Sequence, residues 1–145
     1  MNLTNITNET YTEKNQVKDI YEEIAEHFDN TRPYKWSWVN DFLDKLKLNA
    51  NVYDLGCGNG RNMINNNSKN LNFTGIDNCE NFVKICKSKN LNVLNANITQ
   101  IPLESNSADA VICIAVFHHL VNFDNRINAL MEMKRLIKHL SLIHI

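Results

Sequence analysis

Three glycines at alternate positions follow a short apolar segment, and no other feature of the chain constrains its fold as strongly. The segment occupies residues 51–55 (Asn-Val-Tyr-Asp-Leu), and Gly56, Gly58 and Gly60 come directly after it. Because glycine lacks a Cβ, the backbone of such a turn can approach a ligand closely. A helix that follows the turn presents free N–H groups to an anionic group. The pattern therefore predicts a β-strand, a glycine turn and a helix, as in a parallel α/β sheet.

Apolar segments on both sides of this turn follow strand-like or helix-like patterns. The run from Ala110 to Val116 is rich in β-branched residues and lacks polar alternation, which is typical of a central parallel strand. Apolar residues recur at intervals of three and four from Val17 and again after Pro33, which predicts two N-terminal helices. The other predicted elements are a short helix over Asn59 to about Asn67, strands at 73–76 and 93–94, a helix around 82–86 and a helix from Asp124 to about His139.

These elements predict an α/β fold with a partial, doubly wound parallel sheet and N-terminal helices. We expect residues 1–15 to form a disordered tail, 16–48 the N-terminal helices on the substrate side, and 49–145 a cofactor-binding domain. Four strands can be read, and residues 141–145 stand where a further strand would begin. The most apolar strand would then lie near a bare sheet edge, so we expect the domain to be truncated at its C-terminus.

The spacing of the glycines indicates which cofactor the turn binds. A dinucleotide fingerprint has the form G-x-G-x-x-G, but here Arg61 takes the place of the last glycine and Gly60 comes one residue early. With Asp54 just ahead, this spacing favours S-adenosyl-L-methionine over NAD. Asp77 follows the second predicted strand, where its carboxylate can accept hydrogen bonds from both ribose hydroxyls. The alternative is that Asp77 caps the next helix.

Further cofactor contacts are expected from a loop and from the central strand. Asn97 and Ile98 precede Ile101-Pro102, a loop that would lie against the adenine. The amide oxygen of Asn97 can accept a hydrogen bond from the adenine amino group; alternatively, Asn97 is an ordinary loop residue. Ile114, in the apolar run, completes the predicted cofactor-binding set.

The composition argues against several classes of protein. A formal net charge of −1 gives no overall signal for nucleic acid, whose binding would need a local basic patch. No apolar stretch approaches the roughly 20 residues of a membrane span, so no membrane partner is expected. The four cysteines lack metal-ligand spacing, which predicts reduced thiols and no metal site. Because no signal-peptide core is visible, we expect a cytoplasmic location, with the nucleus as an additional one.

Three segments carry a resemblance to a known family. Residues 21–32 (YEEIAEHFDNTR) with Trp36 and Val39, residues 54–60 (DLGCGNG) and residues 114–119 (IAVFHH) are similar to signatures of the tRNA wobble-uridine (5-carboxymethyluridine) carboxyl methyltransferases. The resemblance implies the Rossmann-like fold of class I methyltransferases. It also implies methyl transfer from S-adenosyl-L-methionine to the carboxylate of 5-carboxymethyluridine in the tRNA anticodon loop. Members of this family usually work with a small zinc-binding activator subunit.

The implied reaction suggests roles for a cation and two histidines. A carboxylate is already ionised at neutral pH, so the enzyme needs only to position it. We expect Arg32 to clamp this carboxylate and His119, or else His118, to take part at the end of the fourth strand. Alternatively, Arg32 pairs with Asp29 or a neighbouring acid, and one histidine is a packed residue.

Tyr21, Phe28 and Trp36 could stack on nucleobases, although their helical spacing favours core packing. Two other functions stay open at this point. One is a small-molecule methyltransferase of the same fold, and the other is a non-catalytic, truncated remnant.

Overall fold

The computed structural model describes residues 3–34, 36–64 and 69–145. It consists of a five-stranded β-sheet with helices packed against it. In chain order they are α1 (Leu3–Thr31), α2 (Ser37–Leu43), β1 (Asn51–Leu55), β2 (Asn72–Asp77), α3 (Glu80–Ser88), β3 (Val93–Asn95), β4 (Ala108–Ile112), a 3₁₀ turn (Phe117–His119), α4 (Phe123–Leu136) and β5 (Ile137–His144).

All strand pairs are parallel, and the order across the sheet is β3-β2-β1-β4-β5. The predicted parallel α/β architecture is therefore confirmed. The strand order reverses at β1, because β2 lies on one side of it and β4 on the other. In a sheet of this kind, the loops that leave the carboxyl ends of the two central strands diverge and open a crevice for a ligand. The glycine turn leaves β1 at this crevice.

The two central strands are almost completely buried. Val52 and Leu55 of β1 and Val111 and Ile112 of β4 have no exposed surface. Each strand is packed on both faces, which is why its sequence shows an apolar run and no alternation. The rigid centre of the sheet thus fixes the positions from which the glycine turn and the loop after β4 depart.

The C-terminal part of the chain differs from the prediction of four strands and a bare edge. A fifth strand, Ile137–His144, pairs with β4, and α4 ends at Leu136, earlier than predicted. The end of the helix is set by distant backbone: the N–H groups of Asn106 and Ser107 donate hydrogen bonds of 2.8 and 2.9 Å to the carbonyl oxygens of Arg135 and Leu136. The spacing of apolar residues in α4 cannot predict such donors, because they come from another part of the chain.

The other boundaries also differ from the prediction. Helix α1 begins at Leu3, where a disordered tail over residues 1–15 is expected; no glycine or proline interrupts residues 3–31. The predicted helix over 59–67 is a series of turns in its described part, and residues 65–67 lie outside the described residues. Strand β4 covers Ala108–Ile112 and ends before the expected Val116.

Candidate functional site

A cavity of about 380 Å³ opens where β1, β2 and β4 end. Its floor is formed by the loops that follow these strands, and its outer wall by α1 and the segment after it. Most residues that the sequence predicts for the site line this cavity: Arg32, Gly56, Gly58, Asp77, Asn97, Ile98, Ile114, His118 and His119. Asp54 and Gly60 lie beside it and are buried. The fold thus brings together residues that are far apart in the sequence.

The glycine turn is tied to the neighbouring strand and has no room for side chains at two positions. The N–H groups of Gly56 and Cys57 both donate to the carbonyl oxygen of Ile76, at 2.7 and 3.1 Å. Gly56, Gly58 and Gly60 all have positive φ, between 54° and 76°. A Cβ on Gly56 would lie 2.4 Å from Val116, and a Cβ on Gly60 would lie 2.4 Å from Leu91. A Cβ on Gly58, in contrast, would meet only Phe28, at 3.9 Å. The Gly58 backbone is therefore open to the cavity.

Asp77 holds the glycine turn and the start of α3 together. Its Oδ2 accepts a 2.8 Å hydrogen bond from the N–H of Gly58, and its Oδ1 accepts a 2.9 Å hydrogen bond from the N–H of Cys79. Burial raises the pKa of this carboxyl group, while the two N–H donors act against that rise. A carboxylate has about four acceptor sites, so two remain for ligand hydroxyls. Asp77 thus supports the turn and still faces the cavity. It does not cap α3, because the first N–H groups of that helix, those of Glu80 and Asn81, donate to the carboxylate of Glu22.

Asp54 is 1% exposed, and its Oδ2 has no hydrogen-bond partner within the described part of the chain. Burial raises the pKa of its carboxyl group to about 7, and a hydrogen bond with the Asn62 side chain opposes this effect. Buried polar atoms are nearly always paired, so an orphaned oxygen beside a cavity is a place where a ligand donor fits. The observation is compatible with a ligand that carries an ammonium group.

The side expected to face adenine is formed by Asn97, Ile98 and Ile114. Ile98 is buried and supplies an apolar surface. The Oδ1 atom of Asn97, however, already accepts hydrogen bonds from the N–H and the hydroxyl of Thr99, at 3.0 and 2.9 Å. The acceptor that sequence analysis assigns to the adenine amino group is therefore engaged within its own loop. The neighbouring cavity residue Ala115 has φ of 57°, a strained value for a residue other than glycine.

Three aromatic rings and a histidine join α1 to the rest of the site. Tyr21 packs against Phe28 and Phe82, with ring centroids 6.3 and 5.9 Å apart. Its hydroxyl oxygen lies 2.8 Å from Nε2 of His119, with which it shares a hydrogen bond. Burial, followed by the charge of His118, lowers the pKa of His119. His119 is thus the packed member of the pair, and His118 is the exposed one.

Arg32 is available to a ligand because its expected partner is engaged elsewhere. Asp29 forms an ion pair with Lys89 and accepts a 3.0 Å hydrogen bond from Nδ2 of Asn59. The guanidinium carbon of Arg32 lies 4.6 Å from the centroid of the Phe28 ring. Among the described residues, no carboxylate forms an ion pair with Arg32. The alternative in which Arg32 pairs with Asp29 is therefore wrong.

Asn59, which was not predicted as a site residue, connects the glycine turn to the end of α1. Its side-chain nitrogen donates to Oδ1 of Asp29 and to the carbonyl oxygen of Arg32, both at 3.0 Å. Its side-chain oxygen accepts from the N–H of Arg61 at 3.3 Å, and its carbonyl oxygen accepts from Lys89 at 3.2 Å. Asparagine is so frequent in this chain that one buried, fully bonded example gave no distinct signal.

Arg61 was also missed as a site residue, since its position served only to argue against a dinucleotide. It lines the cavity, and its guanidinium carbon lies 5.5 Å from the centroid of the Trp36 ring. Trp36 is 47% exposed and contacts Trp38 edge to face. Tyr21 and Phe28 therefore pack against the core, as their helical spacing indicated, whereas Trp36 does not.

Residues 3–34, 36–64 and 69–145 contain no cluster of His, Cys, Asp and Glu side chains that could hold a metal ion. In the same residues, no helix has the length and apolar character needed to cross a bilayer. All four cysteines are buried, with free thiols.

Comparison with known proteins identifies the family of the chain that forms this cavity. A family model described as a methyltransferase domain matches residues 53–145. The chain is 38% identical over 126 residues to the mouse tRNA (carboxymethyluridine(34)-5-O)-methyltransferase ALKBH8 and 37% identical over 136 residues to the Arabidopsis thaliana tRNA (carboxymethyluridine(34)-5-O)-methyltransferase. These matches cover 87% and 94% of this chain but only 19% and 33% of the two relatives.

A solved structure has the same fold at low sequence identity. It is the complex between the Haloferax volcanii Trm112 methyltransferase activator and a candidate methyltransferase, with a TM-score of 0.71 and 20% identity. The match covers 84% of this chain and 56% of that one. The resemblance drawn from the sequence is confirmed, as is the Rossmann-like class I methyltransferase fold. The chain belongs to the methyltransferase domain family.

Proposed function

We propose that this chain is the catalytic domain of an S-adenosyl-L-methionine-dependent methyltransferase that esterifies the carboxylate of 5-carboxymethyluridine at the wobble position of tRNA. The observation that carries the proposal is the guanidinium of Arg32. It faces the cavity beside the glycine turn, packs on Phe28 and has no carboxylate partner among the described residues. The names of the mouse and Arabidopsis relatives support this choice of substrate.

The residues that line the cavity fit S-adenosyl-L-methionine. The open backbone at Gly58 admits the close approach of a ligand, and Asp77 retains acceptor sites for ribose hydroxyls. The orphaned Oδ2 of Asp54 suits the ammonium group of the methionine part. Ile98 and Ile114 offer apolar surface to the adenine. When bound, the cofactor supplies a methyl group on a positively charged sulfur.

The chain's own residues then have to hold the substrate, because an ionised carboxylate needs no base to become a nucleophile. The planar guanidinium of Arg32 can hold a carboxylate through two parallel N–H donors, and the Phe28 ring limits its rotation. The hydrogen bonds of Asn59 to Asp29 and to the carbonyl oxygen of Arg32 fix the backbone that carries this guanidinium. Catalysis in this scheme is chiefly positioning.

His119 and Tyr21 line the same cavity, and Tyr21 also contacts Phe28, the ring on which Arg32 packs. The lowered pKa of His119 favours its neutral form at neutral pH, so this ring adds no positive charge beside a sulfonium. His118 is exposed at the mouth, where it could contact the RNA. We assign His119 a positioning role and His118 a substrate contact.

The partner and the location form part of the proposal. The likeness to the Haloferax complex supports a small activator subunit of the Trm112 kind, and the zinc in that subunit remains an expectation of the resemblance. The substrate is the anticodon loop of tRNA, and the site of action is the cytoplasm, with the nucleus as an additional location.

The test uses the full 145-residue chain, alone and with a Trm112-type activator. S-adenosyl-L-methionine carrying a labelled methyl group is incubated with an anticodon stem-loop RNA that has 5-carboxymethyluridine at the wobble position. We expect label in the RNA that alkali releases as methanol, as an ester requires. Label in small acids but not in RNA would favour a small-molecule methyltransferase. Absence of cofactor binding by calorimetry, with and without the activator, would favour a non-catalytic remnant.

A further inference from the structure

Two guanidinium groups face the same cavity, and each is held against an aromatic ring. The guanidinium carbon of Arg32 lies 4.6 Å from the centroid of Phe28, and that of Arg61 lies 5.5 Å from the centroid of Trp36. Such stacking restrains a guanidinium while its in-plane N–H donors stay free. The two side chains are thus prepared to bind anions within one site.

The surrounding protein does not balance these two positive charges. Within the described residues, no salt bridge involves Arg32 or Arg61. Burial, followed by the charge of Arg32, lowers the pKa of Arg61, which means that the two cations lie close enough to repel each other. Asp54 acts in the opposite direction, but burial raises the pKa of its carboxyl group to about 7. Two neighbouring cations without an ion-pair partner among the described residues are stabilised by negative charge from a ligand.

The substrate of the proposed reaction brings one carboxylate, which Arg32 holds. The cofactor brings another, but its ammonium offsets that charge and its sulfonium leaves the cofactor positively charged overall, so Arg61 is not balanced by either carboxylate. A nucleotide within an RNA strand carries a second anion, the phosphodiester. Arginine is a common phosphate ligand because its planar fork matches two phosphate oxygens. Trp36, which packs against Arg61, lines the cavity and is 47% exposed.

We propose that Arg61, held on the ring of Trp36, binds a phosphodiester of the RNA strand that carries the reacting nucleotide, while Arg32 holds the carboxylate of its base. This proposal rests on the proposed function for the identity of the RNA. It assigns to Arg61 a binding role that also explains why the chain can be nearly neutral overall: the nucleic acid contact is a local pair of cations and not a basic surface.

The experiment measures the binding of the same anticodon stem-loop to the full chain by fluorescence anisotropy over a series of salt concentrations. Loss of one phosphate contact lowers the magnitude of the slope of log K against log salt by about 0.7 to 0.9. We expect this decrease for Arg61→Gln, while Arg61→Lys keeps the wild-type slope because it keeps the charge. Lys45→Gln is the matched control, since Lys45 is an exposed cation in the turn after α2. That turn precedes β1, whereas the glycine turn follows it. It should leave the slope unchanged.

Two further measurements separate phosphate from the other anions. The loss of stem-loop methylation for Arg61→Gln should exceed its loss of S-adenosyl-L-methionine affinity, measured by calorimetry. It should also exceed the loss of methylation with the free nucleoside 5-carboxymethyluridine, which has no phosphate. A loss of cofactor affinity as large as the loss of RNA affinity would identify the cofactor carboxylate as the anion at Arg61. An equal loss with nucleoside and RNA would identify the base carboxylate; either result overturns the proposal, as does an unchanged slope.

Failure of the proposed function gives a different pattern. If the wild-type chain with activator binds the stem-loop but forms no alkali-labile ester, the proposed reaction is wrong, and the salt slope still tests Arg61. If the ester forms but the slope of Arg61→Gln equals that of the wild type, the reaction stands and the phosphate contact is refuted.

Discussion

The hydroxyl oxygen of Tyr21 lies 2.8 Å from Nε2 of His119, although 98 residues separate the two in the sequence. Tyr21 belongs to α1, and His119 belongs to the 3₁₀ turn that follows β4. This hydrogen bond closes one side of the cavity, because it joins the N-terminal helix to the loop from the central strand. The ring contact between the same residues, with centroids 5.4 Å apart, adds to the connection.

The first prediction is that Tyr21 and His119 are energetically coupled. Tyr21→Phe keeps the ring contacts with Phe28 and Phe82 but removes the hydroxyl, so it should lower the free energy of unfolding by about 1 kcal/mol. In a double-mutant cycle with His119→Ala, we expect a coupling energy of about 0.5 to 1.5 kcal/mol, measured by denaturant unfolding. Additive effects of the two substitutions would show that the hydrogen bond contributes nothing to stability.

A second prediction concerns Asp77→Asn. The substituted amide can accept the hydrogen bond from only one of the two N–H donors, so its NH₂ group would face the N–H of Gly58 or of Cys79. It also loses acceptors for the ribose hydroxyls. We expect cofactor affinity to fall at least about tenfold by calorimetry, because each charged hydrogen bond contributes about 1.5 to 3 kcal/mol. Glu80→Gln, at an exposed carboxylate nearby, is the control and should bind the cofactor normally. Unchanged affinity for Asp77→Asn would remove Asp77 from the binding site.

The third prediction compares alanine at two glycines of the turn. Both substitutions force an alanine into a left-handed backbone, with φ of 54° at Gly58 and 76° at Gly60, at a cost of about 1 to 2 kcal/mol. A Cβ on Gly60 would also lie 2.4 Å from Leu91 and 3.0 Å from Cys86. We therefore expect Gly60→Ala to lower the thermal midpoint more than Gly58→Ala does.

Cofactor binding should distinguish the same two variants in the other direction. The protein leaves room for a Cβ on Gly58, so this variant should fold but bind S-adenosyl-L-methionine much more weakly, because the added methyl occupies the ligand's space. If Gly58→Ala binds the cofactor as the wild type does, the ligand does not approach this part of the turn.

The fourth prediction follows from the raised pKa of Asp54. Its carboxyl pKa is about 7 in the folded chain, against about 3.9 in an unfolded one. Between these values the folded state holds a proton that the unfolded state has released, so the contribution of Asp54 to stability is present below pH 4 and is lost as the pH rises to 7. Above pH 7 both states are ionised and the contribution no longer changes.

Asp54→Asn removes this titration while keeping the shape of the side chain. Relative to the wild type, the variant should gain on the order of 3 kcal/mol in free energy of unfolding between pH 4 and pH 7. The measurement is denaturant unfolding of both proteins at several pH values, each without cofactor. A difference that stays constant over this range would mean that the carboxyl of Asp54 is ionised in the folded chain at low pH.

Local sequence patterns predicted the centre of this structure well. The apolar strands β1 and β4 are buried on both faces, and their β-branched residues favour strand independently of the rest of the chain. The glycine turn was predicted because a steric requirement, positive φ without a Cβ, leaves a direct mark on the sequence. Asp77 followed from its distance to that turn.

What could not be predicted depends on contacts between distant segments. The end of α4 is set by N–H donors of residues 106 and 107, and β5 follows from that end. Arg32 forms no ion pair with Asp29 because Lys89 and Asn59 bind that carboxylate. Such partners are 27 to 60 residues away in sequence, and no periodicity reports them. The cofactor turn and Arg32 were thus predictable, while the place of Arg61 beside Arg32 was not.

The scarcity of glycine in this chain gives the glycine turn a meaning beyond its geometry. The chain has only four glycines, and three of them form the turn. Elsewhere in the described residues, left-handed positions are taken by Asn49, Asn70, Asn90 and Asn106, together with Ala115. Asparagine tolerates a left-handed backbone better than most residues, because its short polar side chain can form local hydrogen bonds. Since this chain places asparagine at left-handed positions where a side chain fits, its glycines mark the backbone that a side chain cannot share with a neighbour or a ligand.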